Sequence, residues 1–351
     1  SGVATLYFDN YRTYCALFTW QDGTPTLEYL NATTQPMDWS AASVGDANFS
    51  LETALESGAA AELQRILAPL AGKARTLGVA LPMDSVVAHQ IPYSGTLTTD
   101  ELRRIIRLEA CEHLPNEDSS RFTATVYPLY GFASNPFTAM SVLLPTDVLR
   151  VAESAADMIG AELQRVVSAQ TAAHTAFGFH YPEERGVVAL CGVQRGYMDI
   201  AVACNSALLH TATISLEDKL DHLLRETTES DKSPEAEAAA LSGDAFGRVC
   251  RAALEEASTY VQAHIERVYF FGADLTKAAL DEAAATLTMP VKRLNPLRRM
   301  KTTLDHRLQQ YASRVAHVLV PSVGASLPEI QAGIVLSSYA ADRDEYPRKT
   351  A

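Results

Sequence analysis

The chain has 351 residues, 47% of them hydrophobic, which is enough for a folded protein with two domains or one two-lobed body. Its 42 acidic and 29 basic residues give a net charge of −13, which opposes attraction to phosphate backbones and argues against nucleic acid as a partner. No stretch approaches the roughly 18 to 20 apolar residues of a membrane-spanning helix, so we expect no span in this chain and a cytoplasmic location.

Five cysteines show neither Cys-x-x-Cys spacing nor a neighbouring histidine series suited to zinc. Each falls in an apolar segment, so we expect free, buried thiols in a reducing compartment and no metal site. These cysteines are Cys15, Cys111, Cys191, Cys204 and Cys250.

One strand pattern occurs twice, about half a chain apart. Each copy consists of three apolar runs joined by short polar turns, and each is followed by helical sequence. Two such meanders predict a duplicated α/β architecture. The six strands are predicted at 3–8, 14–20, 26–30, 187–190, 197–204 and 207–214.

A small strand-helix-strand-strand-helix unit is predicted between the two meanders. Thr98 and Glu101 form a capping box that starts its first helix, and Pro115 ends that helix. Gly160 supplies the stop for its second helix. We interpret 82–160 as an insertion rather than a domain in series. The first half is predicted to hold helical sequence within 50–70, strands at 77–81, 86–91, 122–129 and 138–144, and helices at 98–114 and 146–159.

The chain after the second meander is dominated by helices. Its clearest local signal is a βαβ unit, with strands at 268–271 and 291–294 and a helix at 276–287 between them. Amphipathic spacing predicts three further helices, at 216–226, 246–265 and 307–320.

Three segments together carry a family resemblance. The first is an Ile-Pro pair at 91–92, followed by a helix that ends on Leu-Pro at 114–115. The second is the second meander, at 187–215. The third, at 267–296, is a buried strand followed by a helix and a strand flanked by prolines. In this order and spacing they resemble the actin-like ATPase superfamily, and specifically the PilM-type cytoplasmic proteins of type IV pilus assembly. These are related to the cytoplasmic domain of the type II secretion protein GspL.

The resemblance implies a duplicated, two-lobed actin-like fold of the ribonuclease H-like class, with a small α+β subdomain inserted into the first lobe. On this basis we assign 3–81 and 161–186 to the first lobe, 82–160 to the insertion, 187–327 to the second lobe and 328–351 to a C-terminal tail.

The same resemblance locates a nucleotide cleft and shows that its turns are altered. Asp9 is kept in the first phosphate turn, but Tyr11 stands where the family has glycine. Leu190 matches the usual metal-organising aspartate of the second turn, and Gly196 replaces a hydroxyl residue. At the adenosine turn the family has Gly-Gly, and this chain has Gly272 followed by Ala273. The candidate residues of this degenerate cleft are Asp9, Gly192, Gln194, Arg195, Gly196, Gly272 and Asp274.

A structural adaptor without an expected cofactor is the function that the resemblance favours. It implies binding of the short cytoplasmic segment of a membrane-anchored, PilN-like protein at the inserted subdomain, at the inner face of the bacterial inner membrane, with the assembly ATPase complex as a further partner. Asp9 would then cap its turn rather than hold a metal.

Two alternatives stay open. The chain could be an ATP-binding, magnesium-dependent actin-like switch in which nucleotide closes the lobes. It could also be a GspL-like fragment whose native chain continues into the membrane, since Arg343, Arg348 and Lys349 lie near its polar end.

Overall fold

A computed structural model describes residues 2–9, 11–34, 59–113, 122–130, 138–217 and 245–336. The strands are β1 (Gly2–Phe8), β2 (Thr13–Gln21), β3 (Thr24–Ala32), β4 (Ala74–Leu81), β5 (Val87–Pro92), β6 (Phe122–Leu129), β7 (Thr138–Pro145), β8 (Glu162–Ser168), β9 (Val187–Gln194), β10 (Tyr197–Cys204), β11 (Ala207–Ser215), β12 (Arg267–Phe271), β13 (Val291–Arg293), β14 (Lys301–Thr302) and β15 (Ile334–Leu336). The helices are α1 (Ala59–Leu67), α2 (Thr99–His113), α3 (Thr146–Ile159), α4 (Ala169–His180), α5 (Ala245–Val261), α6 (Lys277–Thr286), α7 (His306–Val315) and α8 (Val320–Ser326).

Two sheets repeat one strand order. The first runs β14-β3-β2-β1-β4-β8 and the second β11-β10-β9-β12-β13. In each, an antiparallel meander is extended by two parallel strands. The predicted duplication of an α/β unit is confirmed.

Local turn chemistry explains why both meanders fold back where they do. The β2–β3 turn places Asp22 and Gly23 at positive φ, and the β10–β11 turn does the same with Asn205 and Ser206. Two consecutive positive φ values give a hairpin turn whose twist matches that of the paired strands, and Gly, Asn and Asp tolerate it best. The same geometry thus recurs with different residues.

Helices α4 and α8 pack together between the two sheets. A Cβ built on Gly324 of α8 would lie 1.8 Å from the backbone oxygen of Ala172 in α4, so only glycine permits this approach. The hydroxyl groups of Thr5 in β1 and Ser322 in α8 are hydrogen-bonded at 2.8 Å. The two helices therefore form the layer that joins the lobes.

Strand β9 shows how the second sheet divides its faces. Alternate residues from Val187 to Val193 join a core with the apolar faces of α5 and α6. Val188 and Leu190, on the opposite face, belong to the larger core that contains α4, α8 and the first sheet. Because side chains alternate between the two faces of a strand, one face of β9 packs against α5 and α6 and the other against the layer of α4 and α8.

A third sheet, ordered β15-β6-β7-β5, belongs to the segment predicted as an insertion. Its separate core contains Ile91, Leu102 and Leu143. The apolar face of α3 instead joins the core of the first lobe, and β15, from the predicted tail, pairs antiparallel with β6. The lobe boundaries given above remain a prediction.

Several local predictions are confirmed. In the capping box, the Thr98 amide donates to Glu101 Oε2 at 2.8 Å and the Glu101 amide to Thr98 Oγ1 at 3.3 Å. Gly160 ends α3 with a φ of 66°. Among the described cysteines, Cys15, Cys191 and Cys250 are free and buried, while Cys204 is free and half-buried. The side chain of Cys111 lies outside the described residues.

The single helix predicted at 307–320 is wrong. Two helices occupy this region, because the chain turns between the end of α7 and the start of α8. Pro321 lies at the start of α8, where a missing N–H costs no helical hydrogen bond. Most of the helix predicted at 216–226 lies outside the described residues, as do 50–58. None of the described helices is both long and apolar enough to cross a membrane.

The contact between α4 and α8 predicts a large effect of a single methyl group. Gly324→Ala should lower the free energy of unfolding by about 3 kcal/mol, because the Ala172 carbonyl must move to admit the new Cβ. Gly95→Ala is the matched control, since a Cβ at that position meets no atom within 4 Å. Urea unfolding of both variants measures the difference, and equal stability would contradict the close packing.

Candidate functional site

The first turn of the predicted cleft connects β1 and β2 and is stabilised from within. Asp9 is buried, and its Oδ2 accepts a hydrogen bond from the Tyr11 amide at 3.3 Å. The hydroxyl of Tyr7 donates to Asp9 Oδ1 at 3.4 Å. A carboxylate bonded to the amide two residues on is the usual Asx turn. This geometry supports the turn-capping interpretation of Asp9.

The second turn connects β9 and β10 and contacts the first lobe. Gln194 is buried, and its Nε2 donates to the Tyr7 hydroxyl at 3.4 Å. Gly196 has a φ of 80°, while Arg195 is exposed. Leu190 is buried in the apolar core between the lobes. The hydroxyl of Tyr7 therefore connects Gln194 of the second lobe to Asp9 of the first through two hydrogen bonds.

The third turn follows β12 and rests on the end of β9. Gly272 has a φ of 108°, and a Cβ there would lie 2.3 Å from the backbone oxygen of Val193. The Gly272 amide donates to the His317 carbonyl at 2.9 Å, and the Asp274 amide donates to the Val193 carbonyl at 3.1 Å. Glycine is required here both by conformation and by space.

Tyr11 joins the first and third turns across the cleft. Its hydroxyl donates to Asp274 Oδ1 at 2.7 Å, and this hydrogen bond is the main cause of the raised pKa of Tyr11. Arg195 lies close enough to lower that pKa in part. The structure thus brings the residues predicted for the cleft together at three turns, and the tyrosine that departs from the family pattern bridges them.

These residues do not fit a magnesium–nucleotide complex. Such a complex needs carboxylates from two facing turns and backbone amides open to phosphate. Here Asp9 bonds within its own turn, Leu190 is apolar, and Tyr11 spans the cleft to Asp274. Among the described residues, no group of three or more His, Cys, Asp or Glu side chains is arranged to hold a metal ion.

Asp199 is a buried carboxylate beside the cleft that the sequence analysis missed. It lies opposite Gly192 in the β9–β10 pair, and a Cβ on that glycine would be 1.9 Å from Asp199 Oδ1. Burial is the main cause of its raised pKa of about 7, and the nearby backbone amides of Gly192 and Asp199 oppose part of that shift. A lone aspartate inside the apolar run of β10 was the available signal.

A groove outside the cleft lies between the third sheet and the first lobe. It is a cavity of about 560 Å³ bounded by β6, β7, α3 and β8, with one wall formed by the chain before and within β15. Strand β8 is the edge of the first sheet, so one side of its backbone has no neighbouring strand among the described residues. Apolar side chains line much of the groove, including Leu144, Leu149, Leu163 and Val335.

Two charged residues of opposite sign, Arg165 and Glu329, line this groove. Burial lowers the pKa of Arg165, and the nearby Glu329 carboxylate opposes that shift. Burial is also the main cause of the raised pKa of Tyr127, with a further contribution from Glu329. Arg165 and Glu329, lining the groove beside this strand edge, offer both donors and an acceptor to an extended chain.

The pKa of Asp199 predicts how stability depends on pH. Since its folded-state pKa exceeds the ordinary value of 3.8, the protonated form stabilises the fold below pH about 4, and this contribution is lost as pH rises through 7. The unfolding free energy of wild type relative to Asp199→Asn should therefore fall by on the order of 2–4 kcal/mol between these limits. Asp281→Asn, at an exposed ion pair, is the control, and a pH-independent difference would contradict the assignment.

No protein-family model and no curated protein matches the sequence. Solved structures do match. A "PilM-PilN type IV pilus biogenesis complex" aligns with a TM-score of 0.63 at 15% identity, covering 94% of this chain and 98% of that one. A Bacteroides thetaiotaomicron protein with an actin-like ATPase fold and unknown function aligns at 0.51 and 8% identity, covering 93% and 96%. The cytoplasmic domain of EpsL, an inner-membrane component of the Vibrio cholerae type II secretion system, aligns at 0.41 and 11%, covering 85% and 98%. The chain is thus similar in fold to actin-like proteins.

Proposed function

We propose that this protein is an adaptor that captures a short, extended peptide from a membrane-anchored partner in a pilus or type II secretion-type assembly machine. The observation that carries the proposal is the groove beside β8, where apolar walls lie next to a strand edge that no described strand pairs with. Peptide capture needs both features and no catalysis.

Backbone pairing would supply much of the affinity. An added strand satisfies the free N–H and C=O groups of an edge strand, and its alternate side chains point to opposite faces. On one face those side chains would meet the apolar wall that contains Leu149 and Val335. We therefore expect a peptide with apolar residues at alternate positions. Arg165 and Glu329 would select its polar groups.

The actin-like cleft would then serve as a rigid joint rather than a nucleotide switch. Tyr11 to Asp274, and Gln194 to Tyr7, already connect the two lobes where a nucleotide would connect them. A further point of support is the likeness to a PilM-PilN complex across nearly the whole chain. By analogy, the partner would be a PilN-like protein, and the adaptor would lie at the inner face of the bacterial inner membrane.

A charge placed on the groove wall should weaken peptide binding. Val335 lines the groove and is 67% exposed, so Val335→Glu should preserve the fold while burying an unpaired carboxylate under the peptide. We expect about a tenfold loss of affinity. Leu108→Glu is the matched control, because Leu108 is 70% exposed on α2 and does not line the groove.

The partner is first captured by incubating the immobilised wild-type chain with membranes of the source organism. The cytoplasmic segment of any single-span protein recovered is then synthesised and titrated into the wild type and both variants by fluorescence anisotropy. Equal binding by all three proteins would place the peptide elsewhere, and recovery of no membrane-anchored partner would contradict the adaptor role itself.

The cleft should not respond to nucleotide. ATP with magnesium at millimolar concentration is expected to leave the melting temperature unchanged, since a ligand stabilises a protein only by binding its folded state. The comparison is ATP without magnesium. A magnesium-dependent rise in melting temperature would overturn this part of the proposal and favour an ATP-dependent switch.

A further inference from the structure

The segment that links the two sheets after β12 is unusually basic for this acidic protein. Five of its ten residues from 292 to 301 are Lys or Arg, and no Asp or Glu occurs between 283 and 304. In a chain with a net charge of −13, such a run needs a structural or functional reason.

Three of the five cations have structural partners. Lys292 lies over a tyrosine ring of β12, with its Nζ 5.9 Å from the ring centroid. Arg298 is hydrogen-bonded to Glu183. Arg299 donates to the Phe179 carbonyl at 2.9 Å and lies over the ring of the same residue. These contacts attach the segment to the end of α4 and to β12.

The two remaining cations, Arg293 and Lys301, line one cavity of about 440 Å³. It lies between β3, the chain from β13 to β14, and α7. No carboxylate is among the residues that line it, and the structure gives neither cation an ion pair or an aromatic partner within the described part of the chain. Two uncompensated positive charges therefore face the same space.

Neutral polar side chains and an apolar wall complete this cavity. His317 lines it, and the Nδ1 of that ring is buried without a hydrogen-bond partner in the described structure. Gln309 and Ser313 bring polar side chains from α7, and Leu297 and Met300 supply apolar surface. A cavity of this size, lined by both polar and apolar side chains, is within the range of small-molecule sites.

We infer that this cavity binds a small anion whose charged group is a phosphate or a carboxylate, held by Arg293 and Lys301. Both groups pair well with guanidinium and ammonium donors. The site is separate from the proposed peptide groove, because no residue lines both. A soluble anionic metabolite could thus act on the same protein that holds the peptide.

The test uses the full chain, with inorganic phosphate and succinate titrated separately by isothermal calorimetry. Arg293→Gln combined with Lys301→Gln should weaken binding of the preferred anion by about tenfold or more, since two charge-assisted contacts are lost. Lys277→Gln combined with Arg150→Gln is the matched control. It removes the same charge from two exposed residues that lie outside the cavity.

Saturable binding of phosphate alone identifies a phosphate ligand, and binding of succinate alone identifies a carboxylate ligand. Either result supports the site if the control binds like wild type. Single variants of Arg293 and Lys301, each exposed in the fold, repeat the test should the double variant unfold. Binding of neither anion, or equal binding by the double variant and its control, overturns the inference.

Discussion

The close packing of α4 against α8 is the constraint on which the rest of this structure depends. Each sheet of the duplicated fold has an apolar inner face, and these two helices cover both inner faces at once. The separation between the sheets is therefore set by how near the helix backbones can approach. At Gly324 and Ala172 that distance leaves no room even for a methyl group. Small residues in both helices thus fix the two lobes relative to each other.

Because the helix pair fixes the lobes, the three turns at the cleft meet at short range. In an actin-like protein that uses nucleotide, the ligand bridges these turns and its loss lets the lobes move. Here side chains bridge them directly, through Tyr11 with Asp274 and Gln194 with Tyr7. The buried Asp199 lies opposite Gly192 in the second hairpin. Under the proposed function, the cleft would keep its shape rather than change it with bound phosphate.

Sequence patterns predicted the parts of this fold whose cause is local. The meanders, the capping box of Thr98 and the stop at Gly160 depend on neighbouring residues, and the structure confirms them. Helix α4 was missed because it is buried on nearly every side and carries no polar stripe. Strand β15 was missed because its partner β6 is about 200 residues away. The bridge from Tyr11 to Asp274 was equally hidden, since only the folded chain brings those turns together.

The duplication also explains where the two proposed binding surfaces lie. Strands β8 and β13 hold equivalent positions, each the outermost parallel strand of its sheet. An outer strand leaves the backbone groups on one side of the sheet available for binding. What packs beside that edge decides which kind of partner it can bind. At β8 the inserted sheet leaves an apolar groove beside the open edge, which suits an extended peptide. At β13 the basic segment and α7 enclose a smaller, cationic cavity, which suits an anion. On these proposals, one repeated edge would carry two chemistries, and the cleft between the lobes would act as a fixed joint.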